Sequence, residues 1–141
     1  GAWAASAALL LDTPGIGLVT TAWLLVGTLN FTSAASPEQL VADVGLAPLP
    51  RESGSSVRGR PHIGHGGNRR IRTALYLATL SAARYNPTIR AFYQRLRASG
   101  KPMNVARCAA ARKLVQLTWG LVTSQQPYRA PQVQPVERLA A

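Results

Sequence analysis

An all-α fold, a compact bundle of five or six helices, is what this sequence predicts, and three observations carry it. Apolar residues recur at helical spacing, as in Ile71, Leu75, Ala78 and Ala82. Helix-start signals stand before the apolar runs at Ser36-Pro37, Asn68 and Asn86-Pro87. Glycine or proline follows the runs, at Gly45, Pro87 and Gly100. The 141 residues are enough for one domain with a single buried core.

Taken in order, Ala4–Leu11 reads as a short apolar helix and Leu18–Leu29 as another. Thr13-Pro-Gly-Ile-Gly17 lies between them: proline cannot continue the first helix, and the glycines permit a tight turn. The second helix then begins with backbone N–H groups beside Gly15 and Gly17, open to a phosphate at a helix N-terminus. This turn resembles the helix-hairpin-helix element of DNA-repair and recombination proteins, and a plain helix–helix turn with packing glycines is the alternative. Trp3 and Trp23 read as core residues. Ser36 caps a short helix with Pro37 at its first position and Gln39 three residues on, and Gly45 stops it. Leu46-Ala-Pro-Leu-Pro50 imposes an extended path.

Arg51-Glu-Ser-Gly-Ser-Ser-Val-Arg-Gly-Arg60 follows, with Ser53, Ser55 and Ser56 on a glycine-rich backbone among arginines. A hydroxyl there can attack phosphorus while guanidinium groups neutralise the non-bridging oxygens. A solvated linker is the alternative. The glycine-rich loop is expected to run to Gly67, with no helix over 53–67. His62 and His65 form a poor metal site without cysteine or acids beyond Glu52. They can instead hydrogen-bond phosphate or act as acid or base near Ser53. Asn68 is expected to cap a helix from Arg69 to about Tyr85. Arg69, Arg70 and Arg72 crowd its first turn, where the macrodipole favours anions, and a bound phosphate makes that placement intelligible. Helices Thr88–Ser99 and Asn104–Thr123 follow, the second apolar around much of its circumference and central to the bundle. Leu77 and Leu80 widen the apolar stripe of the Arg69–Tyr85 helix. Residues 127–141, rich in proline, read as a loose tail.

Charge is distributed unevenly. The formal net charge is +11, yet residues 1–50 hold Asp12, Glu38 and Asp43 with no Lys or Arg. Residues 51–113 hold fourteen basic residues against Glu52 alone. One basic face of this kind points to nucleic acid, through phosphate neutralisation and counterion release. Cys108, the single cysteine, excludes a disulfide framework and a thiolate zinc cluster, and its Ala-rich setting predicts a buried, inert thiol. The first residues lack the positive region of a signal peptide. Asp12-Thr-Pro-Gly15 cuts the apolar stretch 2–29 into runs shorter than the roughly 20 residues of a spanning helix.

The order of these motifs resembles the C-terminal part of bacterial insertion-sequence transposases of the "one-ten" group, the bridge-RNA-guided recombinases. The resemblance runs from about Leu9 to Tyr128. It rests on Thr13-Pro-Gly-Ile-Gly17, Gly45-Leu-Ala-Pro48, Glu52-Ser-Gly-Ser-Ser-Val-Arg-Gly59 and Gly67-Asn-Arg-Arg-Ile-Arg-Thr-Ala-Leu-Tyr76. Arg95-Leu-Arg-Ala-Ser-Gly-Lys101 and Ala111-Arg-Lys-Leu114 complete it. The resemblance implies that Ser53, directly after the glutamate, is the catalytic nucleophile and forms a transient phosphoserine link to DNA. It further implies a separate N-terminal carboxylate domain that binds Mg2+ and completes the site, often from a partner subunit. It implies as well a guide (bridge) RNA that selects the DNA. Where the family has Ser-Lys before its glycine, this chain has Gly64-His65.

The sequence is thus expected to form one domain over 1–126. Residues 1–30 are helix-hairpin-helix-like, 51–67 form the serine loop, 68–124 the basic helices and 127–141 the tail. Ser53 is the expected nucleophile. Gly15, Gly17, Arg58, Arg60, Asn68, Arg69, Arg70 and Arg72 are the expected nucleic-acid contacts. No metal is expected within the chain, Mg2+ belonging to the carboxylate domain. DNA, guide RNA, that domain and further copies of the full-length protein are the expected partners, in the bacterial cytoplasm near the nucleoid and away from the membrane. Alone, the chain should bind nucleic acid and cut nothing. A non-catalytic helix-hairpin-helix binding module is the alternative.

Overall fold

A computed structural model describes residues 1–46 and 65–131, the side chains of 65–68 excepted. Among the described residues there are six helices and no strand: α1 (Ala2–Leu11), α2 (Leu18–Gly27), α3 (Pro37–Asp43), α4 (His65–Tyr85), α5 (Pro87–Ala98) and α6 (Met103–Ser124). The expected all-α bundle is the fold observed. α4 and α6 are its centre: they pack on each other, α5 covers both, α2 packs on α4, and α1 and α3 pack on α6.

The core joins all six helices, through Leu10, Leu24, Leu40, Ile71, Leu75, Ile89, Leu114 and Val115. Ile71, Leu75, Ala78 and Ala82 form the buried stripe of α4 as their spacing requires. Leu77 does not widen it; the residue is 58% exposed. α6 buries Ala106, Ala110, Ala111, Leu114, Val115, Thr118, Leu121 and Val122. Those small residues near its start let α4 and α3 approach closely. Cys108 falls on the opposite side of that stripe and is exposed, not buried, as is Val105. Trp3, expected in the core, is 45% exposed because the inward side of α1 is the one that holds Ser6, Ala7 and Leu10.

Local chemistry sets most helix ends. The Ser36 hydroxyl accepts from the Gln39 N–H at 3.1 Å while the Gln39 carboxamide accepts from the Ala35 N–H, also at 3.1 Å, so the start of α3 is stapled from both sides. α2 ends at Gly27, two residues short of the expected end. There the buried Thr28 hydroxyl donates to the Leu24 carbonyl and accepts from the Phe31 N–H. Leu29, Asn30 and Phe31 all take left-handed conformations (φ 52, 58 and 66°), which L-residues adopt at a cost of roughly 1–2 kcal/mol each. Burial of the Phe31 ring offsets part of that strain.

α4 departs from expectation at its start. It begins at His65 and includes Gly66 and Gly67, so Asn68 lies inside the helix instead of capping it. Each glycine disfavours helix by about 1 kcal/mol. Once the Ile71–Ala82 face is buried, however, each added residue gains a hydrogen bond without a new nucleation step. No helix among the described residues is long and apolar enough to cross a membrane.

Two buried contacts fix the first hairpin against the rest. Gly15 (φ +95°) sits so close to α4 that a Cβ there would lie 2.6 Å from the Ala82 Cα. Asn86, fully buried, donates from Nδ2 to the Pro14 carbonyl at 2.9 Å. Its Oδ1 caps α5 by accepting from the Thr88 and Ile89 N–H groups at 3.0 and 3.2 Å. The Tyr128 hydroxyl donates to the same Oδ1 at 3.1 Å, so the chain beyond α6 returns to this junction.

Candidate nucleic-acid interface

Residues 65–124, which form α4–α6, contain eleven Lys and Arg and no Asp or Glu. Residues 1–46 contain three acids and no base. The positive field therefore belongs to α4, α5 and α6, and two clefts on α4 concentrate it.

The first cleft lies between α2 and α4. Arg69 and Arg70 are exposed on the first turn of α4 whose side chains are described. With Val19 and Trp23 from α2, and Thr73, Ala74 and Leu77 from α4, they line a space of about 270 Å³. A buried hydrogen bond from the Thr20 hydroxyl to the Ala74 carbonyl, 3.3 Å long, holds the two walls together. Trp23 packs against the core on one side and borders the cleft on the other. An aromatic plane, aliphatic neighbours and two guanidinium groups thus share one small surface.

A second cleft, of about 380 Å³, is lined by Thr79, Leu80, Ala83 and Arg84 of α4, Tyr93 of α5 and Arg107 of α6. Arg107 donates to the Tyr76 hydroxyl at 3.4 Å. The Arg84 guanidinium lies 5.7 Å from the centre of the Tyr85 ring. Fixed cations beside phenol groups suit phosphate oxygens, which accept from both.

The expected contacts divide. Ser53, Arg58, Arg60 and His62 lie outside the described residues; Asn68 and His65 are on the first turns of α4. Arg69 and Arg70 come together at the first cleft. Arg72 is turned elsewhere: its Nη1 donates to the Val44 carbonyl at 3.3 Å. A Cβ at Gly45 (φ +83°) would lie 2.5 Å from that nitrogen. Arg112 of α6 donates to the Leu46 carbonyl at 3.1 Å. Two arginines thereby fasten the end of α3, where carbonyls favour cations, just before the chain leads to the serine stretch. Gly15 faces α4, whereas Gly17 is exposed and extended at the N-cap of α2, with open space where a Cβ would stand.

Sequence reasoning missed Trp23 and Arg84 as lining residues. A signal existed for Trp23: α2 is apolar on every side, so one face must be uncovered unless the whole helix is buried. Leu18, Val19 and Val26 are indeed 71, 67 and 63% exposed. The anchoring roles of Arg72 and Arg112 had no local signal, since their acceptors are 28 and 66 residues away.

With this geometry in place, comparison with known proteins gives consistent results. Residues 7–94 match the model of the "Transposase IS116/IS110/IS902 family". The chain is 34% identical over 113 residues to the "Insertion element IS110 uncharacterized 43.6 kDa protein" of Streptomyces coelicolor, covering 80% of this chain and 28% of that protein. It is 33% identical over 123 residues to the "Insertion element IS900 uncharacterized 42 kDa protein" of Mycobacterium paratuberculosis (86% and 31% covered). It is 32% identical over 124 residues to the "Pilin gene-inverting protein" of Moraxella bovis (86% and 38% covered). The chain thus spans well under half the length of each of these relatives.

Proposed function

The chain belongs to the IS116/IS110/IS902 transposase family, and from that membership we propose that it serves DNA transposition or recombination as the part that carries a serine nucleophile. What supports this reading is the span of the family match, residues 7–94, which includes Glu52-Ser53-Gly54. The names of its relatives, insertion elements and a gene-inverting protein, support the same reaction class.

On this reading the Ser53 Oγ attacks a DNA phosphorus and its proton passes to a base. The bond to the departing deoxyribose oxygen breaks, and that oxygen leaves with a proton. The product is a phosphoserine ester that a second hydroxyl can resolve. Arg58, Arg60, Arg69 and Arg70 neutralise charge on the non-bridging oxygens and neighbouring phosphates. Gly17 and the first N–H groups of α2 face the backbone of DNA or RNA. Arg72 acts at one remove, by holding the end of α3 from which the serine stretch departs. Among the described residues no group of three or more His, Cys, Asp or Glu is arranged to hold a metal ion. On the same reading magnesium and its carboxylates belong to another part of the protein, together with the guide RNA that selects the site and the partner subunits. The chain by itself binds nucleic acid without cutting it.

The test is a covalent adduct. Full-length protein, guide RNA, Mg2+ and DNA are combined, and protein–DNA conjugates are separated under denaturing conditions. An adduct lost in Ser53→Ala and kept in Ser55→Ala and Ser56→Ala is the expected result. A complex that binds DNA yet yields no adduct would instead make the chain a non-catalytic binding module.

A further inference from the structure

We propose that the cleft between α2 and α4 seats one unpaired nucleotide, with its base against Trp23 and its phosphate on Arg69 and Arg70. This deepens the nucleic-acid-binding reading and rests on it. Three observations lead there. The cleft, at about 270 Å³, is near the lower bound of roughly 300 Å³ for small-ligand pockets, room for one flat group. Its walls are apolar and aromatic, through Val19, Trp23, Ala74 and Leu77, and its basic members are the adjacent Arg69 and Arg70. Trp23 is also firmly backed, because it packs on the core, so it offers a platform that needs no ordering when a base arrives.

Charge selects the occupant. Among the described residues no acid lines the cleft, and α4 carries none anywhere, so an apolar helix laid here would bury Arg69 and Arg70 against nothing of opposite sign. A nucleotide supplies both halves, a π-face for the indole and an anion for the guanidinium pair. Paired bases are stacked inside a duplex and cannot enter, so the occupant is an unpaired end, bulge or flap. Among the described lining side chains the neutral polar groups are the Trp23 indole N–H and the Thr73 hydroxyl, and the hydroxyl already donates to the Arg69 carbonyl at 3.0 Å. The cleft should therefore accept any base with little sequence preference.

The experiment compares binding of the 141-residue chain to a blunt DNA duplex and to the same duplex with a short single-stranded tail, of DNA or RNA. The tail carries 2-aminopurine, whose fluorescence falls when it stacks on an indole. Tailed duplex is expected to bind about tenfold more tightly, with quenching, and with both sugars alike. The ratio of tailed to blunt affinity should fall near one in Trp23→Ala and in Leu77→Glu. Trp23→Phe should keep most of it. Leu77 is exposed, so its variant keeps the test valid if Trp23→Ala fails to fold. Equal affinity for blunt and tailed duplex, without quenching, overturns the cleft and leaves the nucleic-acid reading standing. A tail preference that survives both variants also overturns it, because the nucleotide then sits elsewhere. No binding to any of these nucleic acids removes both readings.

Discussion

The Asn86 side chain donates to the Pro14 carbonyl at 2.9 Å, across 72 residues of sequence. Because the same side chain also caps α5 and receives the Tyr128 hydroxyl, one carboxamide ties together the α1–α2 turn, the α4–α5 junction and the chain after α6. The position of α2 on α4, and with it the cleft at Trp23, depends on this joint.

Asn86→Ala should lower unfolding free energy by about 2–4 kcal/mol, the sum of a lost cap and a stranded buried carbonyl. Asn86→Asp keeps the cap and loses the donation to Pro14, so it should fall between wild type and Asn86→Ala. Urea unfolding followed by circular dichroism measures both. Equal stabilities for the two variants would mean that the cap contributes nothing, and an Asn86→Asp variant as stable as wild type would mean the same of the Pro14 contact.

Gly15→Ala combines a left-handed backbone with a Cβ driven into α4. A loss of about 2–4 kcal/mol is expected. Gly17→Ala meets open space and should cost less than about 1 kcal/mol, from the poorer N-cap. Melting curves of the pair separate the packing role of one glycine from the exposed position of the other.

Arg69→Ala and Arg70→Ala should each weaken binding to duplex DNA and lower the slope of log K against log salt by about one. Arg72→Met should act differently. It removes the anchor on Val44, so the expected change is a loss of about 1–2 kcal/mol in stability with little change in slope. Salt titrations beside unfolding curves distinguish them.

Asn30→Gly should stabilise the protein, by about 1 kcal/mol. The residue has φ 58°, which glycine adopts freely, and its buried Oδ1 has no hydrogen-bond partner among the described residues, so the substitution relieves both at once. A lowered melting temperature would contradict this account.

Much of the fold was legible because it is written locally. Ser36-Pro37 and Asn86-Pro87 mark helix starts by side-chain chemistry that acts within three residues, and Ile71 to Ala82 mark a buried face by spacing alone. The misreadings share another cause. Asn68 has the chemistry of a cap, yet α4 extends past it to His65. Cys108 and Trp3 have the composition of core residues, and only the packing of neighbouring helices decides which side of α6 or α1 is covered. For the site, Arg69 and Arg70 could be singled out by their charge, although α4 begins at His65 and so places them beyond the first turn in which they were expected. Their distinction from Arg72 could not, since it depends on where α3 ends in space.

The separation of charge by helix has a consequence for motion before contact. With the bases of the described helices on α4–α6 and the acids on the segment holding α1–α3, the body carries an electric dipole in addition to its net charge. Near a polyanion, such a body experiences a torque as well as an attraction. It turns α4, α5 and α6 toward the strand while still a Debye length or so away, about 10 Å at moderate salt. Fewer encounters are then wasted on the wrong orientation. Salt should accordingly slow arrival more than a neutral but equally adhesive surface would allow.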